Sequence, residues 1–189
     1  MALITTDNWD DLRFPLTGRN IDTTSGRIDY NYFNGGISFQ NNARFPNEVV
    51  SMIAQMPHAW KEGSAIRPHI HWIQQATNIP NFLLGYRLLK KNTTNALVTD
   101  FTSHTFDVMQ GQAYTYTSGN LEQIGSFTEI DMTGYGLSDI IHFVLFRDTE
   151  NTSTEFAGAD PSSLVEIIRE FDIHYQTDLP GGSRQEFIK

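Results

Sequence analysis

Apolar and polar residues alternate with a period of two over several short stretches, and turn residues close each stretch. Val50, Met52, Ala54 and Met56 alternate with Val49, Ser51, Ile53 and Gln55, and Pro57 ends the run. Phe82, Leu84, Tyr86 and Leu88 share a face opposite Leu83, Gly85, Arg87 and Leu89. Such alternation is the mark of strands with at least one buried face. From Ile140 to Phe146 the chain is apolar on both faces, with His142 as its interruption, which predicts a central strand covered on two sides. In Glu170 to Tyr175, Phe171, Ile173 and Tyr175 point inward and Asp172 and His174 oppose them. Punctuation by Asn34-Gly35-Gly36, Glu62-Gly63-Ser64, Ser118-Gly119-Asn120 and Thr133-Gly134-Tyr135-Gly136 predicts an all-β sandwich or barrel.

One stretch also fits a helix. Asp160-Pro161 supplies an N-cap and a first-turn proline before Leu164-Val165-Glu166-Ile167-Ile168-Arg169. The β-branched, apolar character of those residues and their run into Glu170 favour a longer, bent strand. Residues 1–27 lack periodicity over the polar segment 17–27 and are expected to form an N-terminal arm, with Trp9, Leu12, Phe14 and Leu16 as isolated apolar anchors for a neighbouring subunit. Residues 177–189 are expected to form a C-terminal tail that docks through Arg184, Phe187 and Ile188.

At 189 residues the chain is expected to be one domain, 1–189, with 39% hydrophobic residues to build its core. The net charge of −9 argues against a nucleic-acid partner, which needs a basic footprint. Zero cysteines exclude disulfides, thiolate zinc sites and cysteine nucleophiles, so any metal must be held by His and carboxylate. The N-terminus has no basic flank or apolar core of a signal peptide and no window is long enough to span a bilayer. Synthesis in the cytoplasm and no membrane partner are therefore expected.

The sharpest chemical pattern is Gly63-Ser64-Ala65-Ile66-Arg67-Pro68-His69-Ile70-His71, which resembles the opening of the first cupin motif, a Gly, five residues, then His-x-His. Two His at i and i+2 on a strand point to the same side and can bind a metal as a pair. Where the cupin pattern wants a Glu, this chain has Gln75 and Ala76, and the third ligand would be His174, which lacks the second motif's context. The competing reading, preferred from the sequence, is structural: a His facing Asp172 or His174 across the sheet as a satisfied polar pair that fixes register, with no metal and no other cofactor. His58 beside Trp60 is expected to pack at a rim, with a ligand or partner contact as the alternative. A serine hydrolase elbow is missing, because no Gly-x-Ser-x-Gly occurs, and Gly134-Tyr135-Gly136 lacks the Lys-Ser/Thr of a phosphate loop. Asp10-Asp11, Glu129/Asp131 and Asp148/Glu150 read as solvated loop charges, and Asp148-Thr149-Glu150-Asn151 lacks the spacing of a calcium loop.

Trp9-Asp10-Asp11-Leu12-Arg13-Phe14-Pro15-Leu16, Met56 to Gly63 running into Pro68-His69-Ile70-His71-Trp72, Leu145-Phe146-Arg147-Asp148, Phe171 to Tyr175 and Gly182 to Lys189 together resemble small virion structural proteins of tailed bacteriophages. That resemblance implies an antiparallel, jelly-roll-like β-sandwich without enzymatic activity, made in the host cytoplasm and located in the virion. It implies self-assembly as a dimer or, preferably, a trimer, and contact with major capsid, neck or tail proteins. Trp9, Leu12, Phe14, Leu16, Trp60, Arg184, Phe187 and Ile188 are the expected contact residues. Two alternatives stand beside it: a cupin-like metal-binding protein or metalloenzyme using His69 and His71, and a carbohydrate-binding sandwich with Trp60, Tyr114 and Tyr116 as a stacking platform.

Overall fold

Short β-branched and aromatic runs bounded by Gly, Pro and Asn become strands throughout. The computed structural model describes residues 8–16, 29–31, 35–39, 49–74, 82–91, 104–109, 111–112, 121–147 and 167–177. The regular elements among them are β1 (Asn8–Pro15), β2 (Asp29–Asn31), β3 (Gly36–Ser38), β4 (Val49–Gln55), β5 (Ile66–Gln74), β6 (Phe82–Leu89), β7 (Thr105–Val108), β8 (Gly111–Gln112), β9 (Leu121–Ser126), β10 (Ile140–Arg147) and β11 (Ile167–Thr177). Seven strands form one sheet in the order β2-β3-β11-β5-β9-β8, with β1 also pairing β11, and four form a second in the order β4-β10-β6-β7. Every pairing described is antiparallel. The expected all-β fold of two antiparallel sheets is thus present.

The core lies between the sheets. Ile141, Phe143 and Leu145 of β10 stand opposite Ala54, Met52 and Val50 of β4 and Leu88, Tyr86 and Leu84 of β6. The other sheet contributes Ile70, Trp72, Phe171 and Ile173, all buried. Contact between the layers is aromatic: Phe143 meets Phe171 at 5.1 Å between ring centroids, and Trp72 meets Phe82 edge-on at 5.6 Å. Burying each such side chain is worth about 1.5–3 kcal/mol, so facing rows of them hold the two sheets together. β10 is the central strand between β4 and β6, and its apolar run fits burial on both faces: Ile141, Phe143 and Leu145 on the inner one and Val144 and Phe146 on the outer one.

Two expectations change here. Residues 8–15 were placed in an arm, yet they pair with β11 from Asn8 opposite Thr177 to Pro15 opposite Glu170. Leu16 is buried, and Leu12 and Phe14 pack against the chain's own core. The polar segment that follows hides a strand whose own period is two. Trp9 stays partly exposed, with the Arg67 guanidinium 4.6 Å above its ring. Trp60, expected at a contact or as a sugar platform, is fully buried and bridges Thr177, while its indole N–H donates to the Ser64 carbonyl at 3.3 Å. A ring with no exposed face cannot stack on a sugar. The polar arm segment, Tyr114, Tyr116, the Asp148 loop, residues 160–166 and the tail with Arg184, Phe187 and Ile188 lie outside the described residues.

Three local features set the geometry around β5 and β11. Gly63 takes φ +75°, a left-handed conformation that suits glycine, in the turn that delivers β5. β3 approaches β11 so closely that a Cβ at Gly36 would run into the Ile168 carbonyl oxygen and Ile167 Cγ2. β11 itself carries a register shift against β5 between Ile168 and Glu170, so the bend expected in this segment is a β-bulge.

Candidate metal centre

In β5, Ile66, Pro68, Ile70 and Trp72 pack inward, which turns Arg67, His69 and His71 to the opposite face of the sheet. In β11, Phe171, Ile173 and Tyr175 point inward and Glu170, Asp172 and His174 share that outer face. The register sets His69 opposite Asp172, His71 opposite Glu170 and Arg67 opposite His174. On the far side of β11, β1 sets Arg13 opposite Asp172 and Asp11 opposite His174. A band of ionisable side chains therefore crosses the outer face of the larger sheet.

Its centre is dry. His69 and Asp172 are both buried, although they lie on the outer face. His69 Nε2 is 2.6 Å from Asp172 Oδ1, and His71 Nε2 is 3.6 Å from Asp172 Oδ2. One ligand atom from each of His69, His71 and Asp172 can be chosen so that all lie within 4.8 Å of one another, the one such group of three found among the described residues. With metal–nitrogen and metal–oxygen bonds of about 2.0–2.2 Å, these donors could hold a single ion once the side chains draw together around it.

The described residues leave two atoms of this cluster without a partner. His69 Nδ1 and Asp172 Oδ1 are buried without a hydrogen-bond partner among the described residues. For Asp172 Oδ1 this holds despite the 2.6 Å approach of His69 Nε2, so the contact has ion-pair distance without hydrogen-bond alignment. A buried polar atom without a partner costs about 1–3 kcal/mol, and a cation among the donors would take up the lone pairs of that carboxylate.

Around the cluster, His71 Nδ1 lies 3.6 Å from Glu122 Oε1, and Glu122 also meets Arg169 Nη1 at 3.7 Å. Gly35, Glu122, Arg169 and Glu170 line a cleft of about 400 Å³ on this side. His174 packs its ring 4.1 Å from that of His69, but its Nε2 is directed to Asp11 Oδ1 at 3.0 Å. Burial, and then the neighbouring His69, hold the His174 imidazole below its ordinary pKa, against the opposing pull of Asp11 and Asp172. The expected third ligand thus sits at the edge of the cluster, and Asp172 takes its place. His58 is exposed and is not part of this group.

No protein-family model matches the chain, and no curated protein matches it. The site must be read from its own geometry, and that geometry overturns the expectation of a purely structural, non-enzymatic virion component. A register-fixing polar pair should be satisfied, whereas His69 and Asp172 are buried with open valences and His71 beside them.

Alternation already placed Asp172 and His174 on one face of a strand. Which of them met His69 depended on a strand register that no local pattern encodes. Glu122 lay on a strand that the sequence pattern did not single out.

Proposed function

We propose that the protein is a metal-binding protein in which His69, His71 and Asp172 hold one divalent first-row transition ion, and that this centre is catalytic. The carrying observation is the buried cluster of two imidazoles and one carboxylate with unsatisfied atoms at its heart. Imidazole suits Zn, Fe, Cu and Ni, and a two-His, one-carboxylate set with open positions suits non-haem Fe(II). Three protein ligands leave coordination positions for water and substrate, and the ion supplies Lewis-acid polarisation there. Glu122 and Glu170 flank His71, and with Arg169 they give the adjoining cleft both signs of charge, which fits a small polar substrate.

The strand order supports a jelly-roll arrangement, since β3, β11, β5 and β9 lie in one sheet and β4, β10, β6 and β7 in the other. The reading is cupin-like in its His-x-His strand, with the difference that the donors lie on the face turned away from the sandwich interior.

The test is metal content after purification without added metal, followed by titration of chelator-treated protein with Fe(II), Mn(II), Co(II) and Zn(II). One equivalent bound by wild type and lost in His71→Ala and Asp172→Asn is expected. Binding that is substoichiometric, or equal in both variants, overturns the assignment.

A further inference from the structure

A second cluster lies on the outer face of the four-stranded sheet, on the other side of the core. His142, the interruption in the apolar run of β10, has its Nε2 2.7 Å from Ser51 Oγ on β4. Its Nδ1 is 3.3 Å from Nε2 of His104, the residue before β7, with the two rings edge to face at 5.1 Å. Ser51 is exposed, His142 half-buried and His104 buried, so the chain of contacts runs from solvent into the protein.

Among the proton arrangements that satisfy both contacts, one turns the basic nitrogen toward the serine. Ser51 Oγ–H donates to an unprotonated His142 Nε2, and His142 Nδ1–H donates to His104 Nε2. That requires a neutral His142, and burial, reinforced by the charge of Arg87, does hold its pKa below the ordinary imidazole value. The groups facing His142 are Ser51 and Ile53 from β4, Arg87 opposite it on β6, and His104. Nucleophile, base and a third group that orients the base are the parts an activated serine needs.

We propose that Ser51 is an acyl-accepting nucleophile, with His142 as its general base and His104 as the positioning residue, in a site for small apolar carboxylic esters. As Ser51 Oγ bonds to the ester carbonyl carbon, its proton passes to His142 Nε2 and the carbonyl electron pair moves to oxygen. Collapse of that intermediate breaks the bond to the alkoxide, which leaves as the alcohol with the proton from Nε2. Water then attacks the acyl-serine, gives a proton to the same nitrogen and releases the carboxylic acid, while that proton returns to Ser51 Oγ. Arg87, opposite His142 on β6, brings positive charge close to the base. The apolar preference follows from Ile53 and Ile140, 68% and 39% exposed, which share this face with Ser51 and His142.

The experiment treats the full chain with a fluorophosphonate probe, maps the adduct by peptide mass, and follows p-nitrophenyl butyrate hydrolysis after chelator treatment, so that a metal centre contributes nothing. A single adduct on Ser51 is expected. Ser51→Ala, which removes one exposed hydroxyl, should fold normally and lose both adduct and hydrolysis, and His142→Gln should slow labelling at least about a hundredfold. His104→Leu should lower the labelling rate and move the midpoint of its pH profile, with His104→Gln, which keeps an acceptor for Nδ1–H, restoring both. An unlabelled Ser51, hydrolysis that persists in Ser51→Ala, or labelling indifferent to His142 overturns the proposal. A pH profile unmoved by His104→Leu removes the positioning role.

Discussion

His69 and Asp172 stand directly opposite each other on β5 and β11, both buried, with a nitrogen and an oxygen 2.6 Å apart that are not aligned as a hydrogen bond. In the metal-free protein this is a frustrated contact. Asp172→Asn, which keeps the shape and removes the charge, should leave the metal-free protein at least as stable as wild type. It should weaken metal binding by more than the roughly 10–100-fold typical of losing an outer-shell partner. Saturating metal should raise the wild-type melting point only, by the mass-action stabilisation of about 2.7 kcal/mol at a hundred times Kd. Thermal melts of both proteins with and without metal decide the matter, and a variant stabilised by metal as much as wild type contradicts it.

Phe14 packs its ring 5.8 Å from Phe171 across the β1–β11 pairing. Since that contact is within one chain, Phe14→Ala should cost about 2–3 kcal/mol, and the loss should be the same at low and high protein concentration. Denaturant unfolding at two concentrations separates this from a subunit contact, whose loss would scale with concentration.

The Tyr175 phenol donates to Asp10 Oδ2 at 3.0 Å, and burial, followed by the Asp10 contact, pushes its pKa up to about 12. An unfolded tyrosine ionises near pH 10. The folded state therefore holds its proton longer, and the corresponding stability is complete below about pH 10 and lost as the pH rises to about 12. Tyr175→Phe should remove roughly 1–3 kcal/mol of that alkaline loss. Equal slopes of stability against pH for both proteins between pH 10 and 12 would contradict the assignment.

At Gly36 an added methyl meets backbone, the Ile168 carbonyl oxygen, as well as Ile167 Cγ2. Backbone does not rotate away as a side chain does, so Gly36→Ala should destabilise the protein by about 1–3 kcal/mol. Equilibrium unfolding is the check, and a neutral result would mean that β3 moves freely against β11.

Strand identity was legible where alternation was clean, as in Val49–Gln55 and Glu170–Tyr175, because a half-buried strand must alternate. The segment at Trp9 was not, since Asp10, Asp11 and Arg13 resemble solvated loop charges until β11 is known to lie beside them. Candidate chemistry followed the same division. His69 and His71 were visible as a pair because two residues on one strand fix each other's direction. Asp172 as their partner depended on register between strands a hundred residues apart, and so did the meeting of Ser51, His142 and His104. Trp60 misled because a tryptophan in a Pro- and Gly-rich loop reads as exposed, whereas here it closes the end of the core against Thr177.

The spare residue in the β11 bulge acts as a phase shifter. Ile168 faces the interior opposite Trp72, and in an unbroken strand Glu170 and Asp172 would follow it inward while Phe171 turned out to solvent. The bulge resets the count, so that Phe171 fills the core against Phe143 and Asp172 joins His69 on the other side. Flattening the bulge into a regular strand with its extra residue kept would exchange the two faces of all that follows, driving a carboxylate into the apolar interior and an aromatic ring out of it, whereas deleting Arg169 would leave an unbroken ladder with both faces as they are. The polarity of the donor set and the packing of the sandwich are thus written in the same reading phase, and that strand cannot give up one by slipping without giving up the other.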